Sequence, residues 1–318
     1  MTAPANPAPA YLAVDWGTSS LRVWVLSHAG DVLAERRSAE GMDTLHQDGF
    51  EAVLRRHLAA LGPIVEALPR PLPIVLCGMV GARQGWREAP YVDVPTRLDA
   101  VVDRATVVSV EGIDARILPG LARRNPERPD VMRGEETQLL GLLLDHPDAT
   151  GLVAMPGTHA KWVRLRGGTV TGFTTAMTGE LFALLSRHSI LRHSIGDAEP
   201  TSDPDSPAFR EGLTRALADP GMIGAKLFAV RAGGLLFGTG PEASADLLSG
   251  LLIGAEVGAA LIGLDGNEPV ILVATGKLAR LYSAAVEAGG RTVRLVDADV
   301  AVRKGLLHAA RRFWPPPA

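Results

Sequence analysis

The pattern that most narrows the fold is a repeated one: an apolar strand runs into a polar, glycine-bearing turn and returns as a second strand. It occurs first at residues 11–25, where the turn is Asp15-Trp16-Gly17-Thr18-Ser19-Ser20 and Leu21, Val23 and Val25 then alternate with Arg22 and Trp24. It occurs again at residues 151–175, around Pro156-Gly157-Thr158-His159. Two copies about one domain length apart imply two related units. After the first copy, residues 31–37 read as a third strand, 49–61 as a helix and 73–77 as a buried strand ending at Gly78. A second unit is expected to begin near 113–119. It continues past the second hairpin with helices at 178–188, 206–218, 222–231 and 243–264, a strand at 269–274, a helix at 278–288, a strand at 292–296 and a helix at 300–312. Two α/β lobes with mixed sheets and a cleft between them is the economical reading.

Composition removes several function classes. The 32 Lys and Arg against 35 Asp and Glu give a net charge of −3, and only 5% of residues are aromatic, so a nucleic-acid surface is not expected. Cys77 is the single cysteine, which excludes an internal disulfide and a cysteine metal cluster. The first ten residues carry neither positive charge nor an apolar run and read as a disordered leader, not a secretory signal. The most apolar stretch, 247–264, has Glu256 at its centre. Gly250, Gly254 and Gly258 give it a small-residue face, so it reads as a soluble helix that another helix approaches closely, not as a membrane span.

Five segments could carry chemistry. The Asp15 turn offers a carboxylate at a strand end, the Gly17 backbone and the hydroxyls of Thr18 and Ser19, groups that suit phosphate and Mg²⁺. An ordinary hairpin turn uses the same residues. The Gly157-Thr158-His159 turn repeats the plan and adds Lys161 as a cation, or else holds two solvated side chains. Arg133-Gly134-Glu135-Glu136 opens an apolar helix, where the acids either complement the helix dipole or place one carboxylate as a general base. Adjacent helical residues point about 100° apart, so only one of the two can face a given site. Residues 78–95 form a glycine-rich loop with Met79, Arg83, Trp86 and Tyr91, able to hold a small organic acid. Thr275-Gly276-Lys277 lies at a strand-to-helix junction, where a nucleoside or phosphate can rest.

The order of these segments resembles the actin, Hsp70 and sugar-kinase superfamily. Within it, DWGTSSLRVW, GMVGARQGWREAPY, VMRGEETQLLGL, MPGTHAKWV, FTTAMTGELFALL and LLSGLLIGAE closely resemble the 2-dehydro-3-deoxygalactonokinase family, from about Tyr11 to the final helix. The resemblance implies a two-lobed actin-like ATPase (ribonuclease H-like) fold with an interlobe cleft. Residues 11–112, joined by helix 300–312, would form one lobe and residues 113–299 the other, with helices 135–145 and 247–264 crossing at the hinge. The implied reaction is ATP-dependent phosphorylation of the 6-hydroxyl of 2-dehydro-3-deoxy-D-galactonate in cytoplasmic galactonate breakdown. ATP, Mg²⁺ and the sugar acid would be the ligands; no nucleic acid or membrane is implied, and a homodimer is admitted.

Carried over by position, Asp15, Gly17, Thr18 and Ser19 form the first phosphate loop, with Asp15 toward the metal. Gly157, Thr158, His159 and Lys161 form the second, and Thr275 and Gly276 lie beside the nucleoside. Arg22, Gly78, Met79, Arg83, Trp86 and Tyr91 line the sugar-acid side. Related hexose kinases place their catalytic carboxylate directly before a Thr, which favours Glu136 over Glu135 as base. Many of them use Asp, and related polyphosphate and nucleotide phosphatases have Glu, so a phosphatase is the alternative.

Overall fold

The computed structural model describes residues 7–264 and 268–316, and the chain divides into two units. The first holds the chain up to Ala149, with Arg166–Gly172 and the segment from Ala298 onward. The second holds Thr150–Leu165 and Phe173–Asp297.

In the first unit the expected hairpin pairs Pro9–Trp16 with Leu21–Ser27, register Asp15 opposite Arg22, and Val32–Ser38 extends it antiparallel. On the other side of Pro9–Trp16 lies Leu72–Gly78, parallel, followed by Ile113–Ile117 and Thr106–Val110. Every residue of Leu72–Gly78 is buried, as a central parallel strand requires. The core beneath is built on Leu12, Val14, Trp16, Val23, Ile74 and Leu76, with the helix Gly49–Leu61 supplying Phe50, Val53 and Leu54. A small sheet of Asp130–Met132, Gly120–Arg123 and Tyr91–Asp93 lies in the same unit.

The second unit repeats the plan. Gly151–Met155 pairs antiparallel with Ala160–Arg166 and parallel with Val270–Val273, which is parallel in turn to Val293–Val296. In both units, therefore, a parallel strand flanks the first strand of the hairpin. The turns that follow the two parallel strands leave from the same end of the sheet, where α/β folds place their ligands.

Three expectations are corrected. Pro9 and Ala10, read as part of a leader, belong to the first strand, while residues 1–6 lie outside the described residues. Residues 113–117, read as the opening of the second unit, pair with Leu72–Leu76 in the first sheet. Parallel pairing carries no local mark of which unit a strand joins. The glycine-faced helix, observed as Pro241–Leu261, uses its small face within the second unit. A Cβ on Gly250 would come within 2.1 Å of Phe209 O, and one on Gly254 within 2.7 Å of Leu213 O, so its close partner is the helix Pro207–Ala218. This helix is long and apolar enough to cross a membrane, but 72% of its apolar window is buried inside the fold, as in a core helix.

The acidic helix, Glu135–Asp145, packs in its turn on the closing helix, Ala298–Phe313. A Cβ on Gly141 would lie 1.8 Å from Ala301 O, and one on Gly305 2.1 Å from Thr137 O, so the two backbones meet through paired glycines. Gly141→Ala is therefore expected to destabilise the protein by ~1–3 kcal/mol or more, the scale of core overpacking. Gly172→Ala, with nothing within 4 Å of the added atom, should leave stability unchanged; urea unfolding of the two variants checks both.

Candidate active site

The Asp15 carboxyl stands at the end of the first strand, its side chain 14% exposed, and Arg22 reaches it from directly across the hairpin, Nη2 to Oδ2 at 2.8 Å. The same guanidinium binds Asp299 at the start of the closing helix through Nη1, and Arg37 Nη2 binds the other Asp299 oxygen at 3.0 Å. Burial pushes the Asp15 carboxyl above its ordinary range, against the pull of Arg22 and a 3.7 Å contact from the Cys77 thiol. Burial acts the same way on Asp299, but there Arg22 and Arg37 outweigh it and hold the carboxyl low. Arg22, expected on the sugar-acid side, is thus spent on two carboxylates.

Beside Asp15 the turn is shaped by backbone bonds. Gly17 N–H donates to Ser20 O at 2.8 Å, and Met42 and Asp43 N–H donate to Gly17 and Thr18 carbonyls at 3.0 Å. Thr18 and Ser19 stay exposed. Gly41 backs the turn so closely that a Cβ would lie 2.2 Å from Thr18 O.

The adjoining strand ends at Gly78, with φ +87° and no room for a Cβ, which would lie 2.6 Å from Trp16 O. Gly134, at φ +102°, lies against it, 3.4 Å from ideal Cβ to Gly78 Cα. These two glycines bring the start of the acidic helix to the strand ends that carry Asp15.

Glu136 sits there almost fully buried, 1% exposed. Gly134 N–H donates to its Oε2 at 2.6 Å and the Thr137 hydroxyl to its Oε1 at 2.9 Å. Burial, then the charge of Glu135, pushes its carboxyl up to about 7; the Thr137 hydrogen bond and Arg133 pull against them. Glu135 instead accepts Arg133 N–H at 3.0 Å, so the two acids diverge as helix geometry demands.

Among the loop residues, Met79 is half-buried, Arg83 is exposed, and Trp86 packs on the first unit's core instead of forming a free wall. Tyr91 lies under a guanidinium that sequence reading missed: Arg133 Cζ is 4.4 Å from its ring centre.

In the second unit, Thr158 and His159 are exposed, and His159 is hydrogen-bonded to Glu180. Gly179 fits only because it lacks a Cβ, which would lie 2.7 Å from Gly157 O. Lys161, expected as a free cation, is 4% exposed and donates from Nζ to His159 O at 2.8 Å, bracing the turn from within. Thr275 and Gly276 are exposed at the start of the helix Gly276–Ala288, with Gly276 at φ +58° and nothing within 4 Å of an added Cβ.

One buried carboxylate ties these segments together. Glu256 accepts Trp162 Nε1–H and Tyr282 O–H, both at 2.7 Å, and a hydrogen bond from Thr178. Trp162 follows Lys161, Thr178 opens the helix against the Gly157 turn, and Tyr282 is on the helix that follows Gly276. Burial raises the Glu256 carboxyl while the three donors oppose it.

Comparison with known proteins bears on this arrangement. A family model described as 2-keto-3-deoxy-galactonokinase matches residues 15–309. The 2-dehydro-3-deoxygalactonokinase of Escherichia coli (strain K12) is 38% identical over 302 residues, 94% of this chain and 97% of its own. DgoK1 of Rhizobium meliloti (strain 1021), named for the same activity, is 50% identical over 305 residues, 96% of this chain and 98% of its own. A crystal structure of a Sinorhizobium meliloti protein named for that activity matches with TM-score 0.89 and 50% identity, covering 96% of this chain and all of its own. The activator of 2-hydroxyisocaproyl-CoA dehydratase from Clostridium difficile, with bound ADPNP, has TM-score 0.52 at 12% identity over 95% of this chain and 94% of its own. At that identity the likeness concerns fold alone, an α/β actin-like one with mixed sheets.

The Glu256 cluster yields a stability test. Glu256→Ala is expected to orphan the Trp162 and Tyr282 donors at about 1–3 kcal/mol each. Tyr282→Phe should cost less, since it removes a single bond, and denaturant unfolding of both variants gives the comparison.

Proposed function

The chain belongs to the 2-keto-3-deoxy-galactonokinase family, and from that premise we propose that it transfers the γ-phosphoryl group of ATP to the 6-hydroxyl of 2-dehydro-3-deoxy-D-galactonate. The products are 2-dehydro-3-deoxy-6-phospho-D-galactonate and ADP, formed in the cytoplasm during D-galactonate catabolism. The phosphatase alternative is set aside, because the matching family and the curated relatives are kinases.

The observation that carries the mechanism is the buried Glu136, fixed by two donors and titrating at about 7. A hydroxyl attacking the γ-phosphorus must lose its proton, and a positioned carboxylate with a raised pKa is suited to accept it near neutral pH. Burial also denies the base a hydration shell that would have to be stripped before reaction. The exposed Thr18 and Ser19 supply hydrogen-bond donors for phosphate oxygens on the first unit, with the Gly17 turn holding them in place, as Gly157, Thr158 and His159 do on the second. Thr275 and Gly276 offer the nucleoside an open backbone at a helix start.

Among the described residues no group of three or more His, Cys, Asp or Glu could cage a metal. Mg²⁺ held through one carboxylate, water and the substrate's phosphates needs no such cage. Asp15, at a strand end with its side chain 14% exposed, suits that mode and would hold the ion or its water shell. When bound, the ion neutralises charge on the phosphate oxygens. Arg22 keeps the Asp15 carboxyl oriented, with Asp299 behind it.

The direct assay is ADP formation from magnesium-ATP with and without 2-dehydro-3-deoxygalactonate. A substrate-dependent rate well above the ATP-only background is expected, and equal rates would refute the kinase. In the same assay Glu136→Gln should lower kcat by about a hundredfold or more, the scale of a lost general base, with little change in ATP affinity. Glu135→Gln should stay much closer to wild type; the reverse ranking would reassign the base.

A further inference from the structure

Resting on the kinase reading, we infer that Arg133 recognises the carboxylate end of the sugar acid. Arg133 immediately precedes the acidic helix, within the same turn region that positions Glu136, and is 9% exposed. Its Nη2 donates to Ala89 O at 2.8 Å, and its guanidinium face lies on Tyr91. Nε and Nη1 are buried and have no hydrogen-bond partner. A buried, permanently charged group with unspent donors is costly in a folded protein and calls for an acceptor.

The chain's own acids nearby do not supply one. Glu136 is held by Gly134 N–H and the Thr137 hydroxyl, and Glu135 accepts the Arg133 backbone N–H. The cations expected at the sugar acid are elsewhere employed or placed: Arg22 is taken by Asp15 and Asp299, and Arg83 is exposed on the loop. Among the described residues, Arg133 is therefore the cation beside the base that still has donors to give.

A small anion matches both the charge and the free donors of this group, and a six-carbon acid bringing its 6-hydroxyl to Glu136 carries a carboxylate at its far end. Gly81 lies against Nη1, since an ideal Cβ there would be 2.8 Å from it. Gly81 and Ala89 belong to the loop assigned to the sugar acid, so a shift of that loop on binding admits the carboxylate. Arg133 thus does two things for the same ligand, holding the loop through Ala89 and Tyr91 and taking the charge of the acid.

The test uses the full-length enzyme, the sugar acid and its neutral C1 amide. In Arg133→Met, KM for the acid should rise ~10–100-fold, the scale of lost hydrogen bonds to a charged group, while KM for ATP stays within about twofold. KM for the amide should change far less than KM for the acid, and Arg133→Lys should recover part of the affinity for the acid. The rise in Tm that the sugar acid gives the wild-type enzyme should be lost in Arg133→Met. The inference is overturned if KM for the acid is unchanged, or if acid, amide and ATP all weaken together. Wild-type enzyme that forms no ADP with the acid would instead overturn the kinase reading, a separate result obtained before any variant is made.

Discussion

Everything at the first unit's site depends on keeping one carboxylate dry at the junction of a strand end and a helix start. Such burial is unfavourable for a charge, and the Gly134 N–H, the Thr137 hydroxyl and the charge of Arg133 offset it in part for Glu136. The junction exists because Gly78 and Gly134 both adopt positive φ and touch without side chains. Behind it, Gly141 and Gly305 let the acidic and closing helices press backbone to backbone. That contact also brings Asp299, at the start of the closing helix, within reach of Arg22. The placement of Glu136 and Asp15, the proposed base and the proposed metal-side carboxylate, follows from four glycines and the two helices they allow to meet.

Much of this is legible in the sequence because it is local. The two hairpins, their polar turns and the acidic helix start each lie within a short stretch, where alternation, glycine and helix-dipole arguments apply. The choice of Glu136 over Glu135 comes from resemblance, and its burial against the different bonding of Glu135 supplies a physical ground for it.

What is not legible depends on distance along the chain. Asp299 meets Arg22 across 277 positions, and nothing near either residue announces the other. A glycine face states that a helix is approached closely without stating by which partner, so the Gly250 face reads as a hinge contact when it serves Pro207–Ala218. Charge type is equally silent about employment. Arg22 and Lys161 are cations in the right segments, yet one neutralises carboxylates and the other braces its own turn. Arg133, a flanking residue in the sequence, holds the unspent donors. The buried Glu256 is visible as an acid in an apolar helix, but its partners Trp162 and Tyr282 lie 94 and 26 positions away.

The central claim, that Glu136 is the proton acceptor in phosphoryl transfer to the sugar acid, is met most directly by the pH dependence of kcat for substrate-dependent ADP formation. A base must be ionised to act, and burial has moved this one up to about 7. The account predicts a rate that levels off above that pH and falls about tenfold for each unit below it, reporting one protonation in the enzyme–substrate complex. A rate that stays flat through neutral pH and breaks only in the ordinary carboxylate range would contradict it.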